Sequence, residues 1–355
     1  MTIRSRRRPA GSRTQIGRLI AISVLAAAVV GWLGYKVRAS RMPWQTTPPL
    51  NDSAITSASI AHVEDLIVDA EPIHCAPWDI GTGVAGYVWR AESPRGVVLF
   101  QAGWGDYAER NVQDSAGLFT HLLANGFSVY AFDMWGSGRS PGPRTITGAD
   151  HAIRDHLTAR AAIAGSRDGG LPLYLAGHSF GGLVTISSAL DNPEGIAGVI
   201  LLAPGVKYVA SEPLLAFARL AGFFAPTAKL AAVPAAAVAD GTEGITRDRV
   251  ALAKLENDPR IVTGARMNML TAGTAGTRSA RNWSRYQELT MPLLVIHGTA
   301  DTSTDPDGSV ELVAAASSAD KQLILIPDAR HDLLDDLDAT EVRTDVLAWL
   351  TAHTS

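Results

Sequence analysis

Short, almost continuous apolar runs separated by segments with helical periodicity constrain the fold of this 355-residue chain more than any other feature. A strand that helices cover on both faces has this composition, because neither face meets water. The runs predict core strands at Gly96–Gln101, Phe127–Phe132, Leu173–Ala176, Val199–Ala203, Pro292–His297 and Gln322–Pro327, after an early antiparallel strand at Gly83–Arg90. Helices are predicted between them, at about 109–124, 149–164, 180–190, 308–316 and 338–351. This alternation predicts an α/β fold with a mostly parallel central sheet flanked by helices.

One segment departs from this alternation. Residues 205–288 are rich in alanine, have helical patterns and contain no strand-like run. A crossover between parallel strands needs only about a dozen residues, and this segment is far longer. We therefore expect a helical cap inserted between two core strands of a folded domain at residues 61–355.

The segment Gly177-His178-Ser179-Phe180-Gly181 has the pattern Gly-x-Ser-x-Gly between a predicted strand and a predicted helix. This context is typical of a nucleophile elbow, a strained turn that exposes the serine hydroxyl at the edge of the sheet. Side chains at positions 177 and 181 would collide in so tight a turn, which explains both glycines. Ser179 is therefore the predicted nucleophile, and His178 is expected to have a packing or orienting role.

A serine nucleophile needs a base, and the base needs an acid that orients it. In the hydrolases that carry this elbow, the chain order is serine, acid, histidine. His331 directly follows the last predicted strand, whereas its rival His353 lies almost at the C-terminus. Asp301 lies closest to the end of the preceding strand and is the preferred acid. Three other aspartates are rivals for this role: Asp305, Asp307 and Asp328.

The oxyanion formed during acyl transfer is stabilised by two backbone N–H groups. We predict that Phe180, directly after the nucleophile, supplies one of them. The loop after strand Gly96–Gln101 supplies the other through the amide of Trp104, because Gly103 allows this loop to come close. Trp104 also fits a second interpretation, in which it only forms a wall of the acyl pocket.

Four stretches together resemble the monoacylglycerol lipase family, which is grouped with the serine aminopeptidase S33 type of α/β-hydrolases. They are Asp133–Ser140 followed by Gly142-Pro143-Arg144, the elbow Gly177–Gly182, the acid loop Leu294–Asp301 continued by Thr304-Asp305-Pro306 and Gly308-Ser309, and the histidine region Ser318–Lys321 with His331–Leu334. The resemblance spans about residues 84–350. It implies the α/β-hydrolase fold, cleavage of lipid esters such as monoacylglycerols, and Asp301 as the acid. The chain departs from the family at Ala102-Gly103, where the family usually has His-Gly.

These features predict a carboxylic-ester hydrolase that forms an acyl-enzyme on Ser179 and needs neither a metal nor a cofactor. A lysophospholipase, thioesterase or peptidase on the same scaffold is an alternative, because fold does not determine substrate. A non-catalytic α/β-hydrolase that serves as a binding module is another, although such proteins typically lose a triad member. A net charge of −4 excludes the basic surface of a nucleic-acid-binding domain. The single cysteine, Cys75, excludes an intramolecular disulfide.

The N-terminal region differs in composition from the rest of the chain. Residues 1–18 contain six arginines and precede the uncharged apolar run Leu19–Tyr35. This run is just long enough to span a hydrocarbon core of about 30 Å. Because more positive charges precede the run than follow it, we predict a transmembrane signal anchor at 19–35 with the N-terminus cytoplasmic and the hydrolase domain outside. A cleaved signal peptide and a secreted enzyme are the alternative, and residues 36–60 are predicted to form a linker.

Overall fold

A computed structural model describes residues 75–113, 117–144, 146–208, 212–224, 244–258, 260–261 and 267–354 of the chain. The predicted signal anchor at 19–35 and the predicted linker at 36–60 lie outside these residues. Among the residues that are described, no helix is both long and apolar enough to cross a membrane.

Within the described part of the chain, eight strands form one sheet. They are β1 (Cys75–Trp78), β2 (Gly86–Trp89), β3 (Gly96–Gln101), β4 (Phe127–Phe132), β5 (Leu173–His178), β6 (Ile196–Leu202), β7 (Leu293–Gly298) and β8 (Lys321–Ile326). Their order in the sheet is β1-β2-β4-β3-β5-β6-β7-β8. The pairs β1–β2 and β2–β4 are antiparallel, and every later pair is parallel. The prediction of a mostly parallel sheet is confirmed.

Strand β1 was not expected from the sequence. Its segment contains Pro77, which has no N–H to contribute to a ladder and normally argues against a strand. The edge position of β1 resolves this conflict, because one side of an edge strand has no partner strand.

The helices described in the structure are α1 (Arg110–Gln113), α2 (Leu118–Ala124), α3 (Ala149–Ala164), α4 (Phe180–Asp191), α5 (Glu212–Phe224), α6 (Arg249–Asn257), α7 (Met269–Trp283), α8 (Pro306–Ala315) and α9 (Ala339–Ala352). The expectation of one continuous helix at 109–124 is wrong. Gly117 precedes α2 with a φ of 61°, a left-handed conformation that cannot continue a right-handed helix. The other predicted core helices agree with α3, α4, α8 and α9 to within two residues.

Both faces of the sheet are covered. Along β3, Val97 and Leu99 pack into an apolar cluster with α3 and α4, whereas Val98 and Phe100 pack into a second cluster with α2 and α9. Successive side chains of a strand point to opposite faces, so a strand buried on both sides must be apolar at nearly every position. This explains why the apolar runs of β3 to β7 are almost continuous. The same burial was expected for the run of β8, and this expectation is wrong, because β8 is an edge strand whose residues are mostly exposed or half-buried.

The predicted cap corresponds to the insertion between β6 and β7, which contains α5, α6 and α7. Helices α5 and α7 pack closely, because a Cβ atom at Gly273 of α7 would lie 2.6 Å from the Cα atom of Arg219 in α5. Helix α7 also contacts the helices that cover the sheet, since Asn282 donates a 2.7 Å hydrogen bond to Ser187 of α4. Helix α7 therefore joins the outer part of the insertion to the core.

Candidate active site

Ser179 lies in the turn between β5 and α4. Its φ of 55° and ψ of −123° are unfavourable for a residue with a side chain. Two backbone hydrogen bonds hold this conformation: the N–H of Ser179 donates to Leu202 at 3.0 Å, and the N–H of Gly205 donates to the Ser179 carbonyl at 2.8 Å. The strained turn is thus fixed against the end of β6, and it is the geometry expected of a nucleophile elbow.

Two glycines make this turn sterically possible, as the sequence indicates. A Cβ atom at Gly177 would collide with the hydroxyl of Thr185 and would lie 2.6 Å from the carbonyl oxygen of Gly181. A Cβ atom at Gly181 would collide with the carbonyl oxygens of Gln101 and Ala102. Helix α4 therefore starts in direct contact with the loop that follows β3.

The structure brings Ser179, His331 and Asp301 together, although they lie far apart in the chain. The Nε2 atom of His331 is 2.7 Å from the Ser179 hydroxyl oxygen. The Nδ1 atom of His331 is 2.7 Å from Oδ2 of Asp301, whose side chain is fully buried. This arrangement can accept the serine proton at Nε2 while the carboxylate stabilises the imidazolium.

The rival residues from the sequence have other surroundings. Asp305 accepts a hydrogen bond from the N–H of Asp307 at the start of α8 and forms an ion pair with Lys207 at 3.1 Å. Asp328 lies in an exposed turn with a φ of 60°. His353 forms a 2.7 Å contact with Asp320 at the end of α9. The contacts of Asp305 and His353 therefore stabilise helix ends, and Asp307 is exposed in the first turn of α8.

Further polar groups, not predicted as site residues, hold the carboxylate of Asp301. The backbone N–H groups of Ser303 and Thr304 donate to Oδ1 at 2.7 and 3.0 Å, and the Thr304 hydroxyl donates to Oδ2 at 2.7 Å. His297 lies 3.1 Å from the same Oδ2 atom. Burial alone would raise the pKa of Asp301, but His331 and His297 hold it well below its usual range. An ionised Asp301 in turn favours the protonated form of His331.

The two histidines of the site have opposite electrostatic environments. Burial lowers the pKa of His331, but the ionised Asp301 outweighs it and raises this pKa above its ordinary value of 6.5. Burial and the neighbouring His331 lower the pKa of His178 to about 3. His178 is thus neutral and donates from Nε2 to the carbonyl oxygen of His331 at 3.1 Å. It supports the backbone of the base, in agreement with the predicted orienting role.

The predicted oxyanion donors flank the elbow. Phe180 is the first residue of α4, and the N–H groups of a first helical turn have no acceptor within the helix. A Cβ atom at Gly103 would lie 3.3 Å from both the Cβ atom of Ser179 and Nδ1 of His178. The backbone at Gly103 therefore lies beside the nucleophile, and Trp104 directly follows it.

The segment Asp133–Ser140 organises the loops next to this site. The buried carboxylate of Asp133 accepts hydrogen bonds from the Tyr87 hydroxyl at 2.6 Å and from the N–H groups of Ala108 and Arg139, both at 2.8 Å. Burial raises the pKa of Asp133 to about 6, against the lowering effect of these donors. The segment thus ties the loop after β4 to the loop after β3.

A buried ionic cluster connects the loop after β3 to the loop that carries His331. The guanidinium of Arg110 pairs with Asp106 at 2.9 Å, with Asp332 at 3.1 Å and with Asp335. Nothing local in the sequence identifies the whole cluster, because Asp332 and Asp335 lie more than 200 residues from Arg110. Among the described residues, no group of three or more histidine, cysteine, aspartate or glutamate side chains is arranged to hold a metal ion.

Comparison with known proteins identifies the family of the chain. The family model for serine aminopeptidase S33 matches residues 92–338. Over 284 residues the chain is 30% identical to the monoacylglycerol lipase of Mycolicibacterium smegmatis, covering 77% of this chain and 94% of that protein. Over 282 residues it is 29% identical to the monoglyceride lipase of Saccharomyces cerevisiae, covering 74% and 86%.

Solved structures show the same similarity. The crystal structure of the Paleococcus ferrophilus monoacylglycerol lipase superposes with a TM-score of 0.65 at 26% identity, covering 76% of this chain and 99% of that one. A soluble variant of the Saccharomyces cerevisiae monoglyceride lipase, in complex with a substrate analogue, has a TM-score of 0.67 at 25% identity and covers 81% and 97%. The chain therefore belongs to the serine aminopeptidase S33 family of α/β-hydrolases and is a carboxylic-ester hydrolase similar to the monoacylglycerol lipases.

Proposed function

We propose that this enzyme hydrolyses monoacylglycerols through an acyl-enzyme on Ser179. The observation that carries the proposal is the pair of hydrogen bonds that His331 makes, from Nε2 to the Ser179 hydroxyl and from Nδ1 to Asp301, each 2.7 Å long. His331 takes the proton of the serine hydroxyl as its oxygen attacks the ester carbonyl. The same imidazole then protonates the leaving alcohol, and a second cycle with water releases the fatty acid.

The amides of Phe180 and Trp104 are proposed to stabilise the oxyanion of each tetrahedral intermediate. Such donors are most effective when the fold has oriented them before the reaction begins. The strained elbow and the close approach of Gly103 to Ser179 support this role. Removing one oxyanion donor in related chemistry costs about 10²- to 10³-fold in kcat.

The nucleophile is tested with a fluorophosphonate probe, which labels an activated serine covalently. We expect the wild-type enzyme to be labelled and to hydrolyse esters, and Ser179→Ala to lose both properties without unfolding. Asp301→Asn and His331→Ala should each lower kcat by several orders of magnitude, and neither loss should add to that of Ser179→Ala. Asp305→Asn is the matched control, and a severe loss in this variant with a mild one in Asp301→Asn would mean that the acid is assigned wrongly.

A lipid substrate is supported by the named activities of the relatives and by the apolar surface of the insertion. Phe217, Leu220 and Phe223 on α5 are 52%, 63% and 72% exposed. Their spacing places them on one side of the helix, because residues three apart are neighbours on a helical surface. An exposed apolar stripe of this kind is suited to a lipid–water interface.

The acyl chain preference separates a lipase from a small-ester esterase. Each methylene that enters an apolar pocket contributes about 0.8 kcal/mol, so kcat/KM should rise with acyl length until the pocket is full. We expect glycerol esters of medium or long chains to be cleaved faster than acetates, measured below the concentration of micelle formation. A maximum at about two to four carbons, the limit of a shallow pocket, would reject the lipase. Faster cleavage of lysophospholipids, thioesters or peptides in the same panel would favour those activities.

We further propose that the segment 19–35 anchors the enzyme in a membrane, with the hydrolase domain on the non-cytoplasmic side. The support is the excess of arginine before the apolar run, which favours a cytoplasmic N-terminus. An anchored enzyme would remain close to amphiphilic substrates. A secreted enzyme released by signal cleavage is the alternative.

A further inference from the structure

The loop that carries His331 is joined to the insertion by contacts that the triad itself does not require. The backbone N–H of Asp332 donates to the carbonyl of Ile245 at 2.9 Å. The hydroxyl of Thr246 donates to the carbonyl of Asp335 at 2.7 Å. Residues 245–247, which precede α6, therefore lie directly against the histidine loop.

One buried carboxylate lies at the centre of these contacts. The side chain of Asp336 has no exposed surface. Its Oδ2 atom accepts the backbone N–H of Arg330 at 2.7 Å and Nε of Arg247 at 3.0 Å. Its Oδ1 atom accepts the backbone N–H of Arg247 at 2.8 Å and that of Leu337 at 3.0 Å. Burial raises the pKa of Asp336, but the N–H donors around it hold the pKa below its usual value.

Arg330 links the carboxylate of Asp336 to the active site. Arg330 immediately precedes His331, so the hydrogen bond to its backbone N–H holds the chain one residue before the imidazole. Its guanidinium also donates to the carbonyl of Thr246 at 3.0 Å. The same short segment of the insertion thus contacts the carboxylate of Asp336 and the side chain of Arg330.

We propose that Asp336 is a positioning residue that orients His331 and makes this orientation depend on the contact between the insertion and the histidine loop. The proposal rests on the proposed function of Ser179 and His331. Asp336 touches neither the substrate nor the reacting atoms, and it acts through Arg330. Movement of residues 245–247 away from the loop would remove the Arg247 partners of Asp336 and loosen the base.

The test is Asp336→Asn in the full-length protein, which keeps the size of the side chain but replaces one acceptor oxygen with a donor. Active sites are first titrated with a fluorophosphonate, and kcat per titrated site and KM are then measured with a short, soluble ester. We expect kcat per site to fall about 10- to 100-fold with KM unchanged, because small displacements of a catalytic group have effects of this size. Arg247→Met should give a smaller fall of about 3- to 10-fold, since its backbone N–H still reaches Asp336.

Asp168→Asn is the matched control. Asp168 is also a buried loop carboxylate, which accepts from the Tyr130 hydroxyl at 2.6 Å and pairs with Arg90 at 3.3 Å. It precedes β5, at the end of the sheet opposite to Ser179. We expect this substitution to lower the melting temperature without changing kcat per titrated site.

Three outcomes overturn the proposal: an unchanged kcat per site in folded Asp336→Asn, an equal loss in Asp168→Asn, or an unchanged kcat in Arg247→Met. If Asp336→Asn does not fold, Arg247→Met decides alone, because its side chain is 22% exposed and its removal is tolerated more easily. Failure of the proposed function has a different signature, since the wild-type enzyme would then escape labelling or Ser179→Ala would retain full activity.

Discussion

At the scale of single residues, the proposed chemistry depends on the different pKa values of three neighbouring groups, Asp301, His331 and His178. Asp301 is buried, but it accepts hydrogen bonds from Ser303 and Thr304 and lies beside His331 and His297, which favour its ionised form. This anion raises the pKa of His331, whereas His178 beside it is held neutral. Two histidines thus have different roles: His331 is the proposed base, and His178 supports the backbone of His331.

The pH dependence of kcat/KM should report this difference. His331 accepts the serine proton only when it is neutral, so activity rises as pH increases through the pKa of His331. Because that pKa is raised above 6.5, the midpoint of the acidic limb should lie above 6.5. Asp301→Asn should move the midpoint to lower pH and reduce kcat by about 10⁴-fold. A wild-type midpoint below 6.5, or an unmoved limb in Asp301→Asn, would contradict this account, and Asp305→Asn should leave the profile unchanged.

At the scale of elements, close helix packing decides where the insertion lies. Helix α5 presents Ala218 to α7, and the two backbones approach at Gly222 and Gly273. Small residues at a helix crossing let the axes come close, and a larger side chain there must push them apart. The apolar stripe of α5 then faces away from α7.

Gly273→Val should displace α5 without disturbing the sheet. Valine is a better helix former than glycine, so any loss of stability must come from the collision with the backbone of α5. We expect a loss of about 1–3 kcal/mol, and faster amide hydrogen exchange in residues 216–224 than in the wild-type protein. Strands β3 to β7 should keep their protection. Ala280→Val, at an exposed position of the same helix, is the control, and equal exchange in the two variants would refute the packing account.

At the scale of the whole molecule, the sheet and the insertion together join three loops into one site. The loop after β3 contacts the elbow, the loop after β7 carries Asp301, and the loop after β8 carries His331. All of them lie at the carboxyl ends of parallel strands, which meet at one edge of a sheet. The predicted anchor at 19–35 would add a fourth element, which holds this site near lipid.

Membrane attachment is tested on the full-length protein. We expect it to sediment with membranes and to resist extraction by alkaline carbonate. Leu25→Arg, in the middle of the apolar run, should weaken insertion by about 2.5–3.5 kcal/mol and shift the protein to the soluble fraction, with kcat on a short, soluble ester unchanged. Leu25→Ile is the control. A mature N-terminus near residue 40 would establish cleavage instead of anchoring.

The sequence by itself determined the elbow and most of the strands, because each of them has a local signal. Strands buried on both faces are almost continuously apolar, and the Gly-x-Ser-x-Gly pattern is recognised within five residues. The structure adds that a side chain at Gly181 would also collide with the loop after β3. Chain order then identified Asp301 and His331 as partners for Ser179. Two predictions failed for local reasons. Pro77 argued against a strand at β1, and Gly117 interrupts a helical pattern that looks continuous in the sequence.

Only the tertiary structure decided which polar groups surround the elbow, Asp301 and His331. Arg247 and Asp336 lie 89 residues apart, and Arg110 and Asp332 lie 222 apart. Neither pair has a spacing that a periodic pattern could reveal, because their contact depends on how the loops at the end of the sheet meet the insertion. Burial then makes the pairing necessary, since a carboxylate removed from water is stable only among donors. The contacts that support His331 are therefore a property of the fold, whereas the choice of His331 as the proposed base follows from its place in the chain.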